Sequence, residues 1–465
     1  MKVKKMVALA MASVMTLSTV ACGNTETAGQ SAGETTTDAA VETASGVPTY
    51  ASIKLGEDYT DLTATIKFIH HKTDREADGT ISGYIAEFNK MYPNITVETE
   101  GVTDYAEDSL LRLSAGDWGD IMFIPAVDKA ELDTYFLPYG TVEEMSELVN
   151  FPNNWSKDGM CYGIGYMGNA QGVLYNTRIF EEAGITELPK TPDEFLDDLQ
   201  LIKDNTDAIP LYTNYAAGWT MGAWDAYIGI TTEGNDAYFN QQFVHDSNPF
   251  DDNGTGSGIY NLYRILYEAT ARGLIEDDYT TTDWEGCKAM INNGDIATMV
   301  LGSWAVAQMK AAGDHPDEIG YMPFPISVNS QQYASAGPDY SYGINANASV
   351  DNQIASMVFV KWMTDESGWC EFEGGYPISL TAPTTFDFSA ATILSDLPAV
   401  DGEEDLLNEM NAETELAFNA GGNTKVQYII EAASTGSESF DDIMQSWSDA
   451  WSDAQEELGI AVDNQ

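Results

Sequence analysis

Cysteine is scarce in this chain of 465 residues, with four positions at Cys22, Cys161, Cys287 and Cys370. No two of them form a CxxC pair, and none lies in a Cys/His pattern with zinc-finger spacing, so the sequence does not indicate a zinc site. A disulfide framework is not expected either, because a chain of this length can bury a large apolar core. We predict that the three cysteines after Cys22 are buried thiols; one disulfide plus one free thiol is the alternative.

Positive charge is scarce as well. The chain has 20 lysines and arginines against 74 aspartates and glutamates, which gives a formal net charge of −54. Such a surface repels nucleic-acid phosphates and anionic lipid headgroups, so we expect no nucleic-acid partner. The simplest interpretation is the solvated acidic surface of a secreted protein; a device that collects cations is the alternative.

Several motifs that mark common catalytic and metal sites are missing. The P-loop and HExxH do not occur, and DDNGTGSG from Asp251 lacks the closing glutamate of a calcium loop. The adjacent His70 and His71 would point apart in an extended loop, so we expect no metal there. We predict a protein without catalytic activity, cofactor or metal. Among 74 acidic residues, a chance pair of carboxylates suited to glycoside hydrolysis is the alternative.

The first residues have the composition of a targeting segment. Three lysines precede a mostly apolar stretch, residues 6–20, which is too short to span a bilayer comfortably, so we interpret residues 1–21 as a signal peptide. The following TVAC resembles a bacterial lipobox, in which the cysteine, here Cys22, receives a diacylglycerol. The usual pattern has leucine where Thr19 stands. An ordinary secretory leader cut just before Cys22 is the alternative.

The next segment is predicted to be a tether. Residues 23–47 contain no lysine, arginine or aromatic residue and are mainly Thr, Ala, Gly and Ser with scattered acids. Such a segment cannot bury enough apolar surface to offset its ordering entropy. We therefore expect residues 22–62 to carry the lipid and to form a flexible acidic linker. This arrangement suits a protein that works at the extracellular face of the cell membrane.

The pattern of the folded body alternates short strands with amphipathic helices. Residues 63–69 and 95–99 are rich in β-branched side chains, and residues 121–124 form an apolar run typical of a buried parallel strand. Apolar residues at three- and four-residue steps over 81–91 predict a helix, which Pro93 ends. This order favours an open α/β sheet. The remaining 400 or so residues are too many for one ordinary core, so we expect two lobes.

Two later helices also have clear signals. Thr191 is a helix cap, followed by Pro192 in the first turn and by Glu194 in the third position, as in a capping box. Near the C-terminus, apolar residues over 440–458 fall on one helical face, and they include Trp447 and Trp451. We predict that these two tryptophans belong to a core and not to a ligand platform.

Five segments resemble, in order, the extracellular solute-binding proteins (family 1) that serve bacterial ABC sugar importers. They are FNKMYPNITVE, GDIMFIP, the run from DGMCYGIGY through GVLYNTRIFEEAGI to PKTPDEF, CKAMINNGDIATMVLGSWA, and YGINANAS. They extend over most of the chain between residues 63 and 375. The resemblance implies a two-lobe α/β fold of the periplasmic-binding-protein type II, with the ligand cleft between lobes that close like a hinge.

The resemblance also implies lobe boundaries and a function. Residues 63–165 with 326–368 would form the first lobe, and residues 166–325 with 369–465 the second. The protein would be the substrate-binding lipoprotein of an ABC importer, a monomer that binds a carbohydrate, an oligosaccharide by preference, and delivers it to a permease. Its partners would be the sugar, the transmembrane subunits of the permease and, through the lipid anchor, the membrane.

A carbohydrate site combines polar groups for sugar hydroxyls with aromatic rings for C–H faces, on loops at strand ends. The polar loop that follows the first strand, residues 70–80, offers Thr73, Asp74 and Arg75. Trp304 stands in the segment that resembles the glycine–tryptophan loop of the family, where a ring faces the cleft. Further candidates in segments that resemble the family's cleft are Asp120, Tyr166, Asn169, Trp219, Asp225, Tyr340, Tyr342 and Tyr376. For Asp120, a local backbone cap is the alternative.

Three other functions stay open from the sequence. Acidic and aromatic residues could form a cage for a cationic solute such as a polyamine. The chain could instead be a secreted glycan-active enzyme, or a surface adhesin without a small ligand.

Overall fold

The computed structural model describes residues 46–103, 105–382, 388, 390–400, 402–418 and 423–463. The predicted signal peptide, Cys22 and most of the predicted linker lie outside the described residues. The strands are β1 (Ala64–His70), β2 (Ile95–Gly101), β3 (Ile121–Phe123), β4 (Gly140–Thr141), β5 (Ser156–Lys157), β6 (Met160–Cys161), β7 (Ile164–Gly165), β8 (Gly168–Asn176), β9 (Ile209–Leu211), β10 (Ile296–Gly302), β11 (Ile319–Met322), β12 (Tyr333–Pro338), β13 (Ser341–Ile344) and β14 (Thr392–Leu394).

Helices fill the connections between these strands. They are α1 (Thr73–Ala77), α2 (Thr80–Met91), α3 (Tyr105–Ala115), α4 (Leu132–Tyr135), α5 (Val142–Ser146), α6 (Thr177–Ala183), α7 (Pro192–Asn205), α8 (Gly218–Gly222), α9 (Ile230–Glu233), α10 (Gly258–Ala271), α11 (Trp284–Asn293), α12 (Trp304–Ala311), α13 (Val350–Asp365), α14 (Trp369–Phe372), α15 (Glu403–Thr414), α16 (Asn423–Thr435) and α17 (Phe440–Leu458). None of the helices in the described part of the chain combines the length and the hydropathy that a bilayer crossing requires.

The first sheet has the strand order β2-β1-β3-β13-β7. β1 is parallel to β2 and β3, whereas β13 runs antiparallel to β3 and β7. The connection from β1 to β2 contains α2, which buries Ile81 and Phe88 as its apolar spacing predicts. The apolar helix α13 is buried over most of its surface and contacts β1 and β13. These elements enclose one core, which includes Ile66, Phe88 and Phe359.

The second sheet has the strand order β14-β12-β8-β10-β9, with β11 also paired to β8. β8 is its central strand and is antiparallel to β10, β11 and β12. Helices α7, α10, α16 and α17 supply the largest core of this half of the molecule. Trp447 and Trp451 are buried in that core, as predicted. The two sheets are open and mixed with helices, which confirms the predicted two-lobe α/β class.

Two strands carry the chain from one core to the other, and they run side by side. Tyr166 and Met167 belong to the first core, and the next residue, Gly168, begins β8 of the second sheet. On the return, Pro338 still pairs with Gly168, and Ser341 already pairs with Gly165. A third passage follows Ile378, the last residue of the first core, and reaches the second sheet at Phe388.

These passages differ from the boundaries expected from the sequence. β12 pairs with β8 of the second sheet, so the chain returns to the first half near residue 339 and not at residue 326. Residues 369–378, which were assigned to the second lobe, pack with the first core. The sequence could not show which sheet β12 joins, because strand pairing is a tertiary property. We propose that the lobes comprise residues 46–167 with 339–378, and residues 168–338 with 388–463.

The folded part begins earlier than predicted. Val47, Tyr50 and Ile53 are buried in the first core, and the Tyr50 hydroxyl donates a hydrogen bond to Asp365 at 2.9 Å. The predicted linker, residues 22–62, is therefore wrong in its last part. Leu55, Tyr59 and Leu62 also pack against this core, and a composition averaged over the whole segment hides these apolar residues near its end.

The predicted capping box is confirmed, and the prediction of three buried thiols holds for two of them. The Thr191 hydroxyl and the Glu194 carboxylate form the reciprocal bonds of a capping box at the start of α7. Cys161, Cys287 and Cys370 are all free thiols, the first two buried and the third partly buried. The polar segment 70–80, in contrast, is not an open loop, because His70 is fully buried at the end of β1 and α1 follows within three residues.

The crossing segment GIGYMG, residues 163–168, has close contacts at each of its glycines. A Cβ atom on Gly165 would lie 2.8 Å from the Ile378 side chain, and one on Gly168 would lie 2.9 Å from the ring of Phe151. Larger residues would push the crossing strand away from its neighbours. This segment leads from one strand into another and not into a helix, so its glycines serve packing rather than phosphate binding.

Candidate ligand-binding cleft

A cleft with a volume of about 700 Å³ lies between the two halves, within the range of about 300–1,000 Å³ typical of small-molecule sites. The first half contributes the end of β1, helix α1 and Glu373, and the second half contributes β8 and α12. The crossing strands form part of the lining. The residues that line the cleft are His71, Lys72, Asp74, Arg75, Tyr166, Met167, Asn169, Gln171, Lys288, Trp304, Ala307, Gln308, Ala311, Ala312, Asp339 and Glu373.

A buried carboxylate holds the basic side of the cleft together. Glu373 has a side chain only 6% exposed, and its two oxygens accept bonds from Lys72 Nζ at 2.6 Å and Arg75 Nε at 2.8 Å. Burial by itself would lower the pKa of Arg75, but the nearby carboxylates, Glu373 first and then Asp74 and Asp78, together raise it. Both cations are therefore fixed in place, with α1 setting their positions directly after β1. This arrangement presents rigid N–H donors to the cleft.

The floor near the crossing strands contains a second buried carboxylate. Tyr166 donates its hydroxyl proton to Asp339 Oδ2 at 2.6 Å, and burial raises the pKa of Asp339. Lys72 Nζ lies 5.2 Å from the centroid of the Tyr166 ring. Nearby, Asn169 Oδ1 is buried without a hydrogen-bond partner. A buried acceptor of this kind is costly unless a ligand hydroxyl or water bonds to it.

Trp304 in the opposite wall belongs to a group of three tryptophans in mutual contact. The Trp219 centroid lies 5.0 Å from that of Trp284 and 5.7 Å from that of Trp304, and the Trp284–Trp304 separation is 5.7 Å. Trp304 lines the cleft, and Trp219 is 49% exposed. Lys288 Nζ lies 5.0 Å from the Trp284 centroid. This tryptophan cluster, Trp219 with Trp284 and Trp304, offers flat apolar surface suited to the C–H face of a ring-shaped ligand.

The position of Trp304 follows from local bonding. The Ser303 hydroxyl accepts a hydrogen bond from the backbone N–H of Ala170, and the Ser303 N–H donates to the Ala170 carbonyl. A Cβ atom on Gly302 would lie 2.7 Å from Trp304 Nε1, so only glycine leaves space for the ring there. The turn between β10 and α12 is thereby fixed to β8, next to Asn169.

The structure brings together five of the residues predicted for the site. Asp74, Arg75, Tyr166, Asn169 and Trp304 all line the cleft. Trp219 touches the cleft through Trp304. Their role in ligand contact stays a prediction.

Six other candidates do not line the cleft. Thr73 packs against the backbone of Gly101, and Tyr340 stacks behind His71 with a centroid separation of 4.7 Å. Tyr342 is 2% exposed and packs between Phe68 and Phe123 in the first core.

The remaining three, Asp120, Asp225 and Tyr376, serve the fold. Asp120 accepts a bond from the Lys67 N–H at 2.8 Å, the local backbone cap that was the alternative. Asp225 is buried in the second half, where it bonds Lys425 at 2.7 Å and Tyr263 at 2.6 Å. Tyr376 forms two backbone hydrogen bonds with Gly168.

Sequence reasoning missed several lining residues. Glu373, Asp339 and Gln171 come from segments far apart in the chain, and no local pattern distinguishes them from 74 acids and many amides. Trp284, which contacts Trp304 but is not in the lining, was also missed; it lies at the start of α11, three residues before a segment that resembled the family. Among the missed residues, Lys72 is the one that the sequence pattern could indicate, because it lies between His71 and Thr73 in the polar loop that was already predicted to contribute to the site.

The comparisons with known proteins agree with this geometry. The sequence profile of a family described as "Bacterial extracellular solute-binding protein" matches residues 72–368. BlMnBP2, a manno-oligosaccharide-specific solute-binding protein of Bifidobacterium animalis subsp. lactis solved with mannotriose, is 46% identical, with a TM-score of 0.79 over 89% of this chain and 99% of that chain. BlMnBP1 of the same organism, the binding protein of an ABC transporter solved with mannobiose, is 48% identical, with a TM-score of 0.80 over the same shares. The multiple sugar-binding protein of Streptococcus mutans is 26% identical over 315 residues, 64% of this chain and 71% of that protein.

The geometry predicts that His71 stays neutral in the physiological range. Burial lowers its pKa from 6.5 to about 3, and its ring packs on Tyr340 and Phe123. Because the unfolded chain takes up this proton below about pH 6.5 and the folded chain does not, stability should be lost as the pH falls from about 6.5 towards 3. In NMR titrations, the His71 imidazole signals should not shift between about pH 8 and pH 5.

The variant His71→Gln should show a smaller drop in melting temperature between about pH 7 and pH 4 than the unmodified protein. His315→Gln, at a half-exposed position, is the matched control. A His71 signal that titrates near its ordinary pKa would contradict the assignment.

Proposed function

This chain belongs to the bacterial extracellular solute-binding proteins, and we propose that it binds short manno-oligosaccharides in the cleft and delivers them to an ABC permease. The observation that carries this proposal is that one cavity combines an aromatic wall with a wall of basic side chains. One wall holds Trp304, which contacts the rest of the tryptophan cluster, and the other holds Lys72 and Arg75 bonded to Glu373. The high identity to BlMnBP1 and BlMnBP2 over most of both chains supports mannose units as the ligand class.

The lining residues match the chemistry of a pyranose. The ring of Trp304 would stack on the apolar C–H face of a sugar unit. Asp74, Arg75 and Asn169 would exchange hydrogen bonds with its hydroxyls, and Asn169 Oδ1 would gain the partner that it lacks. Because these groups come from both halves of the molecule, a bound sugar joins the halves and favours the closed form.

A cationic solute is less well supported. A cage for a polyamine needs carboxylates whose charge is available to the ligand. Glu373 is already bonded to Lys72 and Arg75, and Asp339 to the Tyr166 hydroxyl. The three cations of the lining, Lys72, Arg75 and Lys288, equal its acids in number, so the cleft has no excess of negative charge for a polyamine.

The location and the state of the protein form a second part of the proposal. We propose that residues 1–21 are a signal peptide and that Cys22 carries a lipid, which holds the protein at the extracellular face of the cell membrane. The family itself supports an extracellular position. We further propose that the protein is a monomer and has no catalytic activity, since its relatives in these comparisons are named as binding proteins.

The variant Trp304→Ala should weaken binding of mannotriose by about 1–3 kcal/mol, because it removes the ring on which a sugar unit stacks. Isothermal titration calorimetry measures this directly. Tyr428→Ala is the matched control, since Tyr428 is an aromatic residue 42% exposed on α16 and outside the cleft lining.

The control should keep the affinity of the unmodified protein. Equal affinities for Trp304→Ala and the unmodified protein would remove the stacking role. Stabilisation by spermidine and by no sugar would instead overturn the carbohydrate proposal.

The variant Cys22→Ser should release the protein from the membrane of an expressing bacterium, because it removes the sulfur that would carry the lipid. Metabolic labelling with a radioactive fatty acid and separation of membrane and soluble fractions measure this. Thr25→Ala in the same segment should keep the label and the membrane association. Label that persists in Cys22→Ser would contradict lipidation at this residue.

A further inference from the structure

A second cavity adjoins the cleft on the other side of α12. Its volume is about 620 Å³, and it shares Ala307 and Ala311 with the lining of the cleft. Opposite this helix, a Cβ atom on Gly374 would lie 3.4 Å from the Cβ of Ala307. The boundary between the two cavities is thus a ridge of small residues, two alanines and a glycine, where α12 contacts the turn after α14.

The lining of this second cavity differs in character from that of the cleft. Phe372, Tyr321, Val306 and Ile319 give it apolar and aromatic walls, and Lys310 and Glu371 supply charged groups. The Phe372 ring is 48% exposed, and Arg75, which lines the cleft, lies 5.2 Å from its centroid. An exposed aromatic surface beside hydrogen-bonding side chains is again the combination that suits a sugar ring.

The walls of the two cavities are also formed by the same elements. Helix α12 of the second half faces the turn after α14 of the first half in both of them. A ligand that crosses the ridge would therefore contact both halves along its whole length. Closure of the halves would hold the second cavity as well as the cleft.

We propose that the second cavity is an extension of the binding site, which holds the distal units of an oligosaccharide whose first units occupy the cleft. This inference rests on the proposed function. Phe372 stacks on a distal sugar unit, and Lys310 and Glu371 bond its hydroxyls. The site therefore favours linear chains that are longer than those the cleft alone can hold.

The test measures how the affinity of each protein variant changes with the length of the ligand. Calorimetry with linear manno-oligosaccharides of two to six units, in both anomeric linkage series, gives the ratio of the Kd for the disaccharide to the Kd for the longer chains. In the unmodified protein this ratio should rise about fivefold to tenfold or more once a chain reaches the second cavity. In Phe372→Ala the rise should be lost. Val350→Ala, at a position of the first half with the same 48% exposure, should keep it.

A second variant tests the cavity by filling it. Val306 lines only the second cavity, so Val306→Trp should abolish the gain from longer chains, whereas Val306→Ala should preserve it. Equal affinities for short and long chains in the unmodified protein, or an unchanged ratio in both Phe372→Ala and Val306→Trp, would overturn the extension. If no manno-oligosaccharide of any length binds, the proposed function itself fails, which is a different result from binding without a length dependence.

Discussion

The constraint on which this structure depends is that two separately packed cores are joined by strands that pair with each other. Gly168 pairs with Pro338 and Gly165 pairs with Ser341, so the outgoing and returning chains cross as one ribbon. Each half already buries its own apolar surface, and a rotation about the ribbon would leave both cores intact. The free energy that selects an open or a closed form must then come from groups in the cleft between the halves. This is the physical basis for coupling ligand binding to shape.

The charges in the cleft are arranged to limit the cost of burial. The chain has a net charge of −54 and only 20 lysines and arginines. Two of these, Lys72 and Arg75, bond to one buried carboxylate, that of Glu373. A buried charge without such partners would be strongly destabilising. Asp74 lies 3.7 Å from Arg75 Nε, so the two cations face two carboxylates and the group as a whole has no formal net charge.

The fold was largely predictable from the sequence, and the site was predictable only in part. β1, α2 and the capped start of α7 follow from local periodicity and capping, and the structure has them within one or two residues. Trp304 was found because it lies in a segment that resembled a family loop. Glu373 and Asp339 were not found, because their partners are about 300 and 173 residues away in the chain. Asp225 was selected as a cleft candidate because the sequence does not show that Lys425, 200 residues away, bonds to it in the folded structure.

The central claim is that a sugar in the cleft draws the two halves together. Small-angle X-ray scattering of the protein with and without saturating mannotriose tests this most directly. The account predicts a smaller radius of gyration in the presence of the sugar and no change with a non-binding sugar at the same concentration. A radius of gyration that stays constant while calorimetry records full occupancy would contradict the account.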